Sequence, residues 1–320
     1  MKIAVFVPSR PHFGNILTQL PFLCALQKEY PNAEIEIWSK FKQSKVLLTV
    51  NLSNTLINYK TFGFFRLVNE IKKRQYDVIY NLYSGSDKVH TAIGLSNVKV
   101  TFGHSHNSLH KYCYQKHIRI NKGFQYIANS HLSLLNAVKN TTYTPDIIKS
   151  LTTKIAPIKK TELTLLPGGG AGDYKRWHLK YYLSTVEHIA KMHTELTHIN
   201  WILGPDEEHY KDIIPNRIAN IPVRLHHSPN ICELINLANS SVLSIANDCG
   251  PTHIFQMLTV PLITLWGWKN HETSPYNTMS EWFYSHDNSW AIVPSEQDKC
   301  INTITVNKVS SLALAQLKRL

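Results

Sequence analysis

An apolar run at residues 242–247 leads into a turn whose residue types suit phosphate binding. The turn reads Asn-Asp-Cys-Gly-Pro at 247–251, and His253 follows it at the start of a segment with helical character. A tight glycine turn at a helix start presents free backbone N–H groups and the positive end of the helix dipole, and both attract an anion. His253 can add a hydrogen bond or a positive charge. A buried strand end with an incidental glycine explains the same run without any ligand.

Two further apolar runs also end in glycine. Residues 163–166 lead into Pro-Gly-Gly-Gly-Ala-Gly at 167–172 and then into a basic cluster, ahead of a predicted amphipathic helix at 179–193. Residues 199–203 end at Gly204, and acidic residues follow it. Glycine lets the backbone approach a ligand closely. The turn at 167–172 has neither the Gly-Lys-Ser/Thr of a Walker A loop nor the spacing of a dinucleotide fingerprint.

The elements that must position these turns alternate between strands and helices. Strands are predicted at apolar runs near residues 2–8, 34–39, 76–83, 162–167, 198–203, 242–247 and 261–266. Helical patterns between several of them indicate an α/β fold with parallel sheets. Since ligands of such sheets bind outside the carboxyl ends of the strands, the three glycine-ended strands predict a nucleotide site.

The length of the chain predicts two domains. It has 320 residues, 43% of them hydrophobic, which is enough to bury a sizeable core. Pro145, the segment 152–160 and the renewed strand at 162 mark the linker. We place the boundary after residue 155, so that the predicted domains are 1–155 and 156–320.

These segments resemble, in order, the motifs of glycosyltransferase family 9, the ADP-heptose:lipopolysaccharide heptosyltransferases. The matching pieces are residues 2–7, 14–21, 30–37, 167–177, 203–208, 247–253, 265–268 and 274–276. The most specific family motif reads Asp-Ser/Thr-Gly-Pro-x-His, and residues 248–253 match it with cysteine in place of Ser/Thr. The resemblance implies a GT-B fold of two facing Rossmann-like domains with parallel sheets. The first would bind the acceptor and the second the nucleotide-sugar donor.

The resemblance also implies the reaction and the donor site. A heptose would pass from ADP-heptose to the inner core of lipopolysaccharide or lipooligosaccharide by an inverting, metal-independent displacement that needs no cofactor. Lys175, His253 and the backbone N–H groups at 249–250 would hold the diphosphate, and a glutamate after Gly204 would bind the ribose. Asp248 would order the loop. The donor-binding residues predicted in this way are Gly170, Lys175, Gly204, Glu207, Glu208, Asp248, Cys249, Gly250 and His253.

The position of the catalytic base departs from the family pattern. The family usually has an aspartate after the glycine of its first loop, and this chain has Asn15 there. An amide cannot accept the proton of the acceptor hydroxyl at neutral pH. His12 on the same loop or Asp87 on a later loop can supply the base, or the protein transfers slowly or not at all. Asparagine is also a favoured helix N-cap, which gives Asn15 a purely structural explanation.

A formal net charge of +12 indicates an anionic partner. The basic residues are scattered and no nucleic-acid-binding module is recognisable, so nucleic acid is not predicted as a partner. An anionic lipid-linked saccharide fits better, with peripheral contact with the inner membrane. We predict acceptor contacts at Arg66, Lys72, Lys73 and Arg74, although residues 72–74 are equally well explained as a solvated helix end. Without a signal-peptide pattern or an apolar window of membrane-spanning length, a cytoplasmic location is predicted.

Cysteine, histidine and tryptophan predict little further chemistry. The five cysteines include no C-x-x-C pair and none of the 17 histidines has the spacing of a zinc motif, so no disulfide framework or metal site is predicted. Cys249 lies at a helix start, where the pKa of a thiol can fall, but a backbone-donor role fits it better. The tryptophans at 177, 201, 266 and 268 can stack on a nucleobase, and core packing is the simpler explanation for Trp201.

Two other functions fit the same residues. The departures from the family pattern at Asn15, Cys249 and Trp268 are consistent with a GT-B transferase that uses a different nucleotide sugar. The missing base aspartate is also consistent with a non-catalytic protein that binds a nucleotide sugar or a glycan.

Overall fold

The computed structural model describes residues 1–8, 10–119, 125–152, 160–170, 172–269, 274–295 and 298–319. The chain forms two compact units, Met1–Leu151 and Thr152–Leu320, here called unit 1 and unit 2. The domain boundary predicted after residue 155, and most of the predicted linker at 152–160, lie outside the described residues.

Unit 1 is built on a parallel sheet. Its elements in chain order are β1 (Lys2–Phe6), α1 (Phe13–Leu17), α2 (Leu20–Glu29), β2 (Glu34–Ser39), β3 (Thr55–Asn58), α3 (Phe64–Lys73), β4 (Val78–Asn81), α4 (Asp87–Gly94), β5 (Val100–Ser105), β6 (Lys116–Arg119) and α5 (Ile127–Lys139). Within the described residues the strand order is β3-β2-β1-β4-β5-β6, and each neighbouring pair is parallel. The carboxyl ends of these strands therefore share one edge of the sheet, here called carboxyl edge 1.

The sequence pattern explains how unit 1 buries its sheet. Ile3, Val5 and Phe6 of the central strand β1 are fully buried. On one side, α3 buries Leu67 and Ile71, one helical turn apart, and its exposed residues are polar or charged except Phe65. A helix that connects two parallel strands runs back antiparallel to them. The C-terminal end of α3 consequently lies at the amino edge of the sheet, away from carboxyl edge 1.

Unit 2 is also an α/β unit. Its elements are β7 (Glu162–Leu166), α6 (Leu179–Met192), β8 (His198–Leu203), β9 (Arg217–Ile218), β10 (Ile221–His227), α7 (Ile231–Ser240), β11 (Ser241–Asn247), α8 (Thr252–Met257), β12 (Leu262–Leu265), α9 (Tyr276–Trp282), β13 (Ser289–Ile292) and α10 (Val306–Leu317). The described strands pair in the order β13-β12-β11-β7-β8-β10-β9, with all neighbours parallel except β9 and β10. The ends of β7, β8, β11 and β12 form carboxyl edge 2.

The α/β fold with parallel sheets predicted from the sequence is confirmed. Each predicted strand corresponds to an observed one, namely β1, β2, β4, β7, β8, β11 or β12, and α6 ends one residue before its predicted end at 193. The strands that the sequence did not predict are the polar or short ones, β3, β5, β6, β9, β10 and β13. Among the described residues, no helix combines the length and the apolar character needed to cross a membrane.

Candidate functional site

Lys175 and Asp248 form an ion pair at carboxyl edge 2, although they are 73 residues apart in the chain. Lys175 ends a short 3-10 turn after β7, Asp248 directly follows β11, and these two strands are neighbours in the sheet. Lys175 Nζ donates to Asp248 Oδ2, and the two side chains are only 17% and 6% exposed. Burial opposes the charge on Lys175, but the carboxylate of Asp248 outweighs it and raises the pKa of Lys175. A fixed cation therefore lies at this strand end.

The side chain of Asn247 fixes the loop that carries Asp248. Asn247 is fully buried, its Oδ1 accepts a hydrogen bond from Tyr182 Oη at 2.9 Å, and its Nδ2 donates to the carbonyl of Pro167 at 2.7 Å. Thr252 Oγ1 closes the loop by donating to the backbone oxygen of Asn247 at 3.0 Å. Asn247 thus joins the ends of β11 and β7. The sequence analysis did not single it out, although a polar residue ending an apolar run was the available signal.

Cys249 is a protonated thiol. Its Sγ lies 3.0 Å from Thr252 Oγ1, and burial raises the pKa of the Cys249 thiol to about 11. The expectation that a helix start would lower this pKa is wrong, because α8 spans only Thr252–Met257 and the loss of solvation dominates. A nucleophilic role is not supported, and Cys249 can serve the site through its backbone N–H.

His253 is a neutral imidazole. Only 3% of its surface is exposed, and burial lowers the pKa of His253 to about 4. Its ring lies 5.8 Å from the ring of Trp282. Of the two contributions expected from the sequence, a hydrogen bond and a charge, the charge is wrong, since a buried imidazole with this pKa does not bind a proton at neutral pH.

Glu207 lies beside the glycine-rich turns. It is 4% exposed, its Oε1 is 3.4 Å from Arg176 Nε, and its Oε2 faces Gly168 and Gly204. A Cβ atom at Gly204 would lie 2.9 Å from that oxygen, so glycine is what lets the carboxylate pack there. Arg176 also pairs with Asp206 at 3.3 Å and so gathers acidic side chains at the end of β8. The sequence analysis assigned no role to Arg176, which lies in the basic cluster after the glycine-rich turn.

The other predicted donor-binding residues are spread around the same strand ends. Glu208 turns away from Glu207 and pairs with Lys211 at 3.2 Å and with His227 at 3.1 Å, beside the end of β10. Gly170 is exposed, and Gly250 is half-buried and lies two residues before the start of α8. The structure therefore gathers Lys175, Asp248, Cys249, Gly250, His253, Gly204 and Glu207 at carboxyl edge 2 and separates Glu208 from them.

Gly267 permits a close backbone contact at this edge. A Cβ atom at Gly267 would lie 1.6 Å from the carbonyl oxygen of Tyr174, so the segment after β12 packs directly on the turn that carries Lys175. The tryptophans proposed for nucleobase stacking are buried, with Trp177 and Trp201 at 0% exposure and Trp266 and Trp268 at 2%. All four indoles pack within the protein, so the predicted stacking of a nucleobase on one of them is wrong.

Asn15 lies within α1 at carboxyl edge 1 and is not a helix cap. The N-cap of α1 is His12, whose side chain makes no capping hydrogen bond, and the N-cap of α2 is Gln19. Asn15 Oδ1 instead accepts from Arg10 Nη1 at 3.5 Å. The N-cap explanation of Asn15 is therefore wrong. Its side-chain amide, on the segment that follows β1, is hydrogen-bonded to the guanidinium of Arg10.

Asp87, the second candidate base, already has a partner. It is the first residue of α4, its side chain is 86% exposed, and its Oδ1 lies 2.9 Å from His110 Nε2. The ring of His110 stacks on that of His90, with 3.8 Å between the ring centroids. His12, the other candidate, is exposed. Asn15 and Asp87 follow the adjacent strands β1 and β4, so both belong to carboxyl edge 1.

The basic residues predicted to bind acceptor fall at opposite ends of α3. Lys72 lines a groove with Met1 and with the first residues of β4 and β5, which is the amino edge of the sheet. Arg74 pairs at 3.0 Å with Glu36, which is 3% exposed. These residues lie at the amino edge of the sheet, whereas ligands of parallel sheets bind at the carboxyl edge. Their contact with the acceptor stays a prediction. Arg66 lies near the other end of α3, with its guanidinium 4.3 Å from the ring of Phe62.

Within the described residues, no three histidine, cysteine or acidic side chains are grouped as metal ligands. The model of glycosyltransferase family 9 (heptosyltransferase) matches residues 64–299.

The chain belongs to glycosyltransferase family 9. Lipopolysaccharide heptosyltransferase 3 of Escherichia coli is 24% identical to it over 285 residues, which cover 81% of this chain and 82% of that protein. A family 9 glycosyl transferase from Veillonella parvula has a similar structure, with a TM-score of 0.70, 16% identity, and coverage of 100% of this chain and 98% of that one. E. coli heptosyltransferase WaaC with ADP-2-deoxy-2-fluoro heptose also gives a TM-score of 0.70, at 14% identity over 98% and 99% of the two chains. This family 9 protein has the GT-B fold and is a glycosyltransferase.

Proposed function

We propose that this glycosyltransferase moves a heptose from ADP-heptose to the inner core of lipopolysaccharide or lipooligosaccharide by an inverting, metal-independent displacement. The observation that carries the proposal is the Lys175–Asp248 ion pair, which fixes a cation at a strand end where parallel sheets bind nucleotides. Family membership and the E. coli relative, a lipopolysaccharide heptosyltransferase, support the sugar and the acceptor.

The donor half of the mechanism is a stabilisation of negative charge. As the bond between the anomeric carbon and the diphosphate oxygen breaks, its electron pair leaves with the nucleoside diphosphate. Lys175 supplies the fixed positive charge, while the backbone N–H groups of Cys249 and Gly250 and the neutral ring of His253 supply hydrogen bonds. Glu207, oriented by Arg176, accepts hydrogen bonds from the ribose. A fixed cation acts on the charge that develops in the transition state and so raises the rate as well as the affinity.

The acceptor half is the attack of a hydroxyl oxygen on the anomeric carbon from the face opposite the leaving diphosphate, which inverts the configuration. The hydroxyl proton must pass to a base at carboxyl edge 1. We assign Arg66, which lies near that edge, to bind an anionic group of the acceptor. Lys72, Lys73 and Arg74 have no role in this mechanism. With a net charge of +12, peripheral contact with the anionic inner membrane from the cytoplasmic side is favoured.

The proposal is tested with purified protein and a panel of nucleotide sugars. A donor that binds the folded state raises the Tm, because binding stabilises that state by mass action. We expect ADP-heptose to raise the Tm more than UDP- or GDP-sugars and to be consumed when the lipid-linked acceptor is added. Stabilisation by a UDP- or GDP-sugar alone would assign a different donor. Binding of ADP-heptose without any transfer would favour a non-catalytic binding protein, which the amide at Asn15 makes a real alternative.

A further inference from the structure

A serine and a histidine form a hydrogen-bonded pair at carboxyl edge 1. Ser84 Oγ lies 3.0 Å from His106 Nε2, and both residues are half-buried. Ser84 follows β4 and His106 follows β5, which are neighbouring strands, and β4 also pairs with β1, the strand that leads to Asn15. The pair therefore lies on the edge where a ligand of this sheet binds.

Buried groups beneath the pair fix the position of Ser84. His90 Nε2 lies 3.3 Å from the carbonyl oxygen of Ser84, and His90 Nδ1 lies 2.6 Å from Tyr114 Oη. A carbonyl only accepts, so Nε2 carries the proton of His90 and Nδ1 accepts from Tyr114. Asn81 Nδ2 donates to Tyr114 Oη at 2.7 Å. The hydrogen bonds thus run in one direction, from Asn81 through Tyr114 and His90 to Ser84.

The fold makes room for this chain of hydrogen bonds. Gly103 in β5 lies against the ring of Tyr114, and a Cβ atom there would come within 2.3 Å of it. Tyr114 is 8% exposed and His90 is fully buried. Burial lowers the pKa of His90 to about 4, so its ring is neutral and keeps the tautomer that its partners require. A polar chain that is buried and fully paired holds its members rigidly.

Several other polar groups of this edge are less suited to take a proton from a hydroxyl, and His12, the N-cap of α1, makes no capping hydrogen bond that would orient its ring. Asn15 is an amide. The carboxylate of Asp87 already accepts from His110, and its side chain is otherwise exposed. His104 and His131 are buried, and burial lowers the pKa of both rings. His106 combines an imidazole, partial exposure and a fixed partner.

We propose that His106, oriented by Ser84, is the catalytic base that takes the proton of the acceptor hydroxyl where the family pattern has an aspartate at position 15. This inference rests on the proposed glycosyl transfer and adds the residue that completes it. The acceptor oxygen bonds to the anomeric carbon as its proton moves to His106, and the electron pair of the broken bond leaves with the nucleoside diphosphate. His90, Tyr114 and Asn81 are positioning residues that act through Ser84.

The decisive experiment is chemical rescue of His106→Ala. Loss of a catalytic base typically slows a reaction by about 10²–10⁴-fold, so kcat should fall at least about 100-fold. The KM for the donor should stay unchanged, and added imidazole should restore part of kcat. His117→Ala is the matched control, because His117 Nε2 also pairs with a serine, Ser105, at 2.9 Å on the next strand. The His117→Ala variant should keep the kcat of the unaltered protein, and added imidazole should not change it.

A second variant tests the positioning residues. Tyr114→Phe keeps the ring but removes the O–H that donates to His90, so kcat should fall about tenfold with the donor KM unchanged. Two results would overturn the assignment of His106 and leave the proposed transfer standing. One is a normal kcat in His106→Ala. The other is a large loss of kcat in His106→Ala that imidazole does not rescue, together with imidazole rescue of His12→Ala or Asp87→Ala. If the unaltered protein transfers no sugar from any donor, the proposed function fails first and the base assignment fails with it.

Discussion

The two carboxyl edges differ in how they use charge. Edge 2 is built from paired charges, with Lys175 on Asp248 and Arg176 among acidic side chains. Edge 1 is built largely from neutral groups, namely the amides of Asn15 and Asn81, the hydroxyls of Ser84 and Tyr114, and buried imidazoles. The difference corresponds to the two substrates of a glycosyl transfer. A leaving diphosphate requires fixed cations, whereas an acceptor hydroxyl requires hydrogen bonds and one proton acceptor.

The largest effect of this difference should be on the stability of the two units at low pH. Among the described residues, His90, His104 and His131 in unit 1 are buried with lowered pKa values, about 4 for His90 and His131. In the described part of unit 2, His253 is buried with a pKa of about 4, and burial also lowers the pKa of the half-buried His226. Each ring is neutral when folded, and the unfolded chain takes up the proton below its ordinary pKa of about 6.5. The contribution of each ring to the free energy of unfolding is therefore fully present above about pH 6.5. It falls as the pH drops towards 4, by up to about 1.4 kcal/mol per pH unit for each ring.

On acidification, the backbone amides of unit 1 should consequently lose their protection from hydrogen exchange before those of unit 2. Amide hydrogen exchange, followed by mass spectrometry between pH 7 and pH 4.5 and corrected for intrinsic rates, should show opening of β4, β5 and α5 before β7 and β11. His131→Gln should reduce the pH dependence of unit 1. Equal loss of protection in both units would contradict the contrast between the two edges.

The next largest effect is expected for Lys175→Ala. The change leaves the carboxylate of Asp248, 6% exposed, without its cation, which should lower the free energy of unfolding by about 3 kcal/mol. The affinity for ADP should fall about 100-fold, while the affinity for adenosine, which lacks phosphates, should change little. Calorimetric titration of both ligands and thermal unfolding measure the two effects.

A double variant separates binding from stability. Lys175→Ala with Asp248→Asn removes the unpaired charge, so most of the lost Tm should return while ADP affinity remains low. Normal ADP affinity in the double variant would show that this ion pair is structural and does not meet the phosphates.

The same contrast explains how far the sequence could be interpreted. Strands such as β7 and β11 are apolar runs, and their glycine-ended turns predicted where Lys175 and Asp248 meet. β5 and β6 contain glycine, histidine, lysine and arginine, so they gave no apolar signal. His106 and Ser84 could not be paired without knowing that β4 and β5 are neighbours. Similarly, nothing in the sequence separates Glu207 from Glu208, because only the structure shows which carboxylate turns inward.

A smaller effect on edge 2 is expected for Gly267→Ala. The added Cβ would meet the Tyr174 carbonyl at 1.6 Å and displace the turn that carries Lys175. Overpacking of this kind typically costs about 1–3 kcal/mol, and ADP affinity should fall with the Tm. Gly63→Ala is the matched control, since nothing lies within 4 Å of a Cβ there and its φ of −64° suits alanine. An unchanged Tm in Gly267→Ala would mean that the contact with Tyr174 is not maintained in solution.

The smallest change is expected for Asn15→Asp, which tests whether edge 1 can return to the family pattern. The new carboxylate would pair with Arg10, whose Nη1 lies 3.5 Å from Asn15 Oδ1, and such an exposed ion pair contributes less than about 1 kcal/mol. If His106 already removes the proton, a second base adds little, so transfer should change less than about tenfold. In the His106→Ala background the carboxylate has no competitor and should restore transfer by a larger factor. Comparing both backgrounds in one transfer assay decides the matter. An increase of 100-fold or more in the otherwise unaltered chain would show that Asn15 occupies the base position of a weakened enzyme and that His106 does not act.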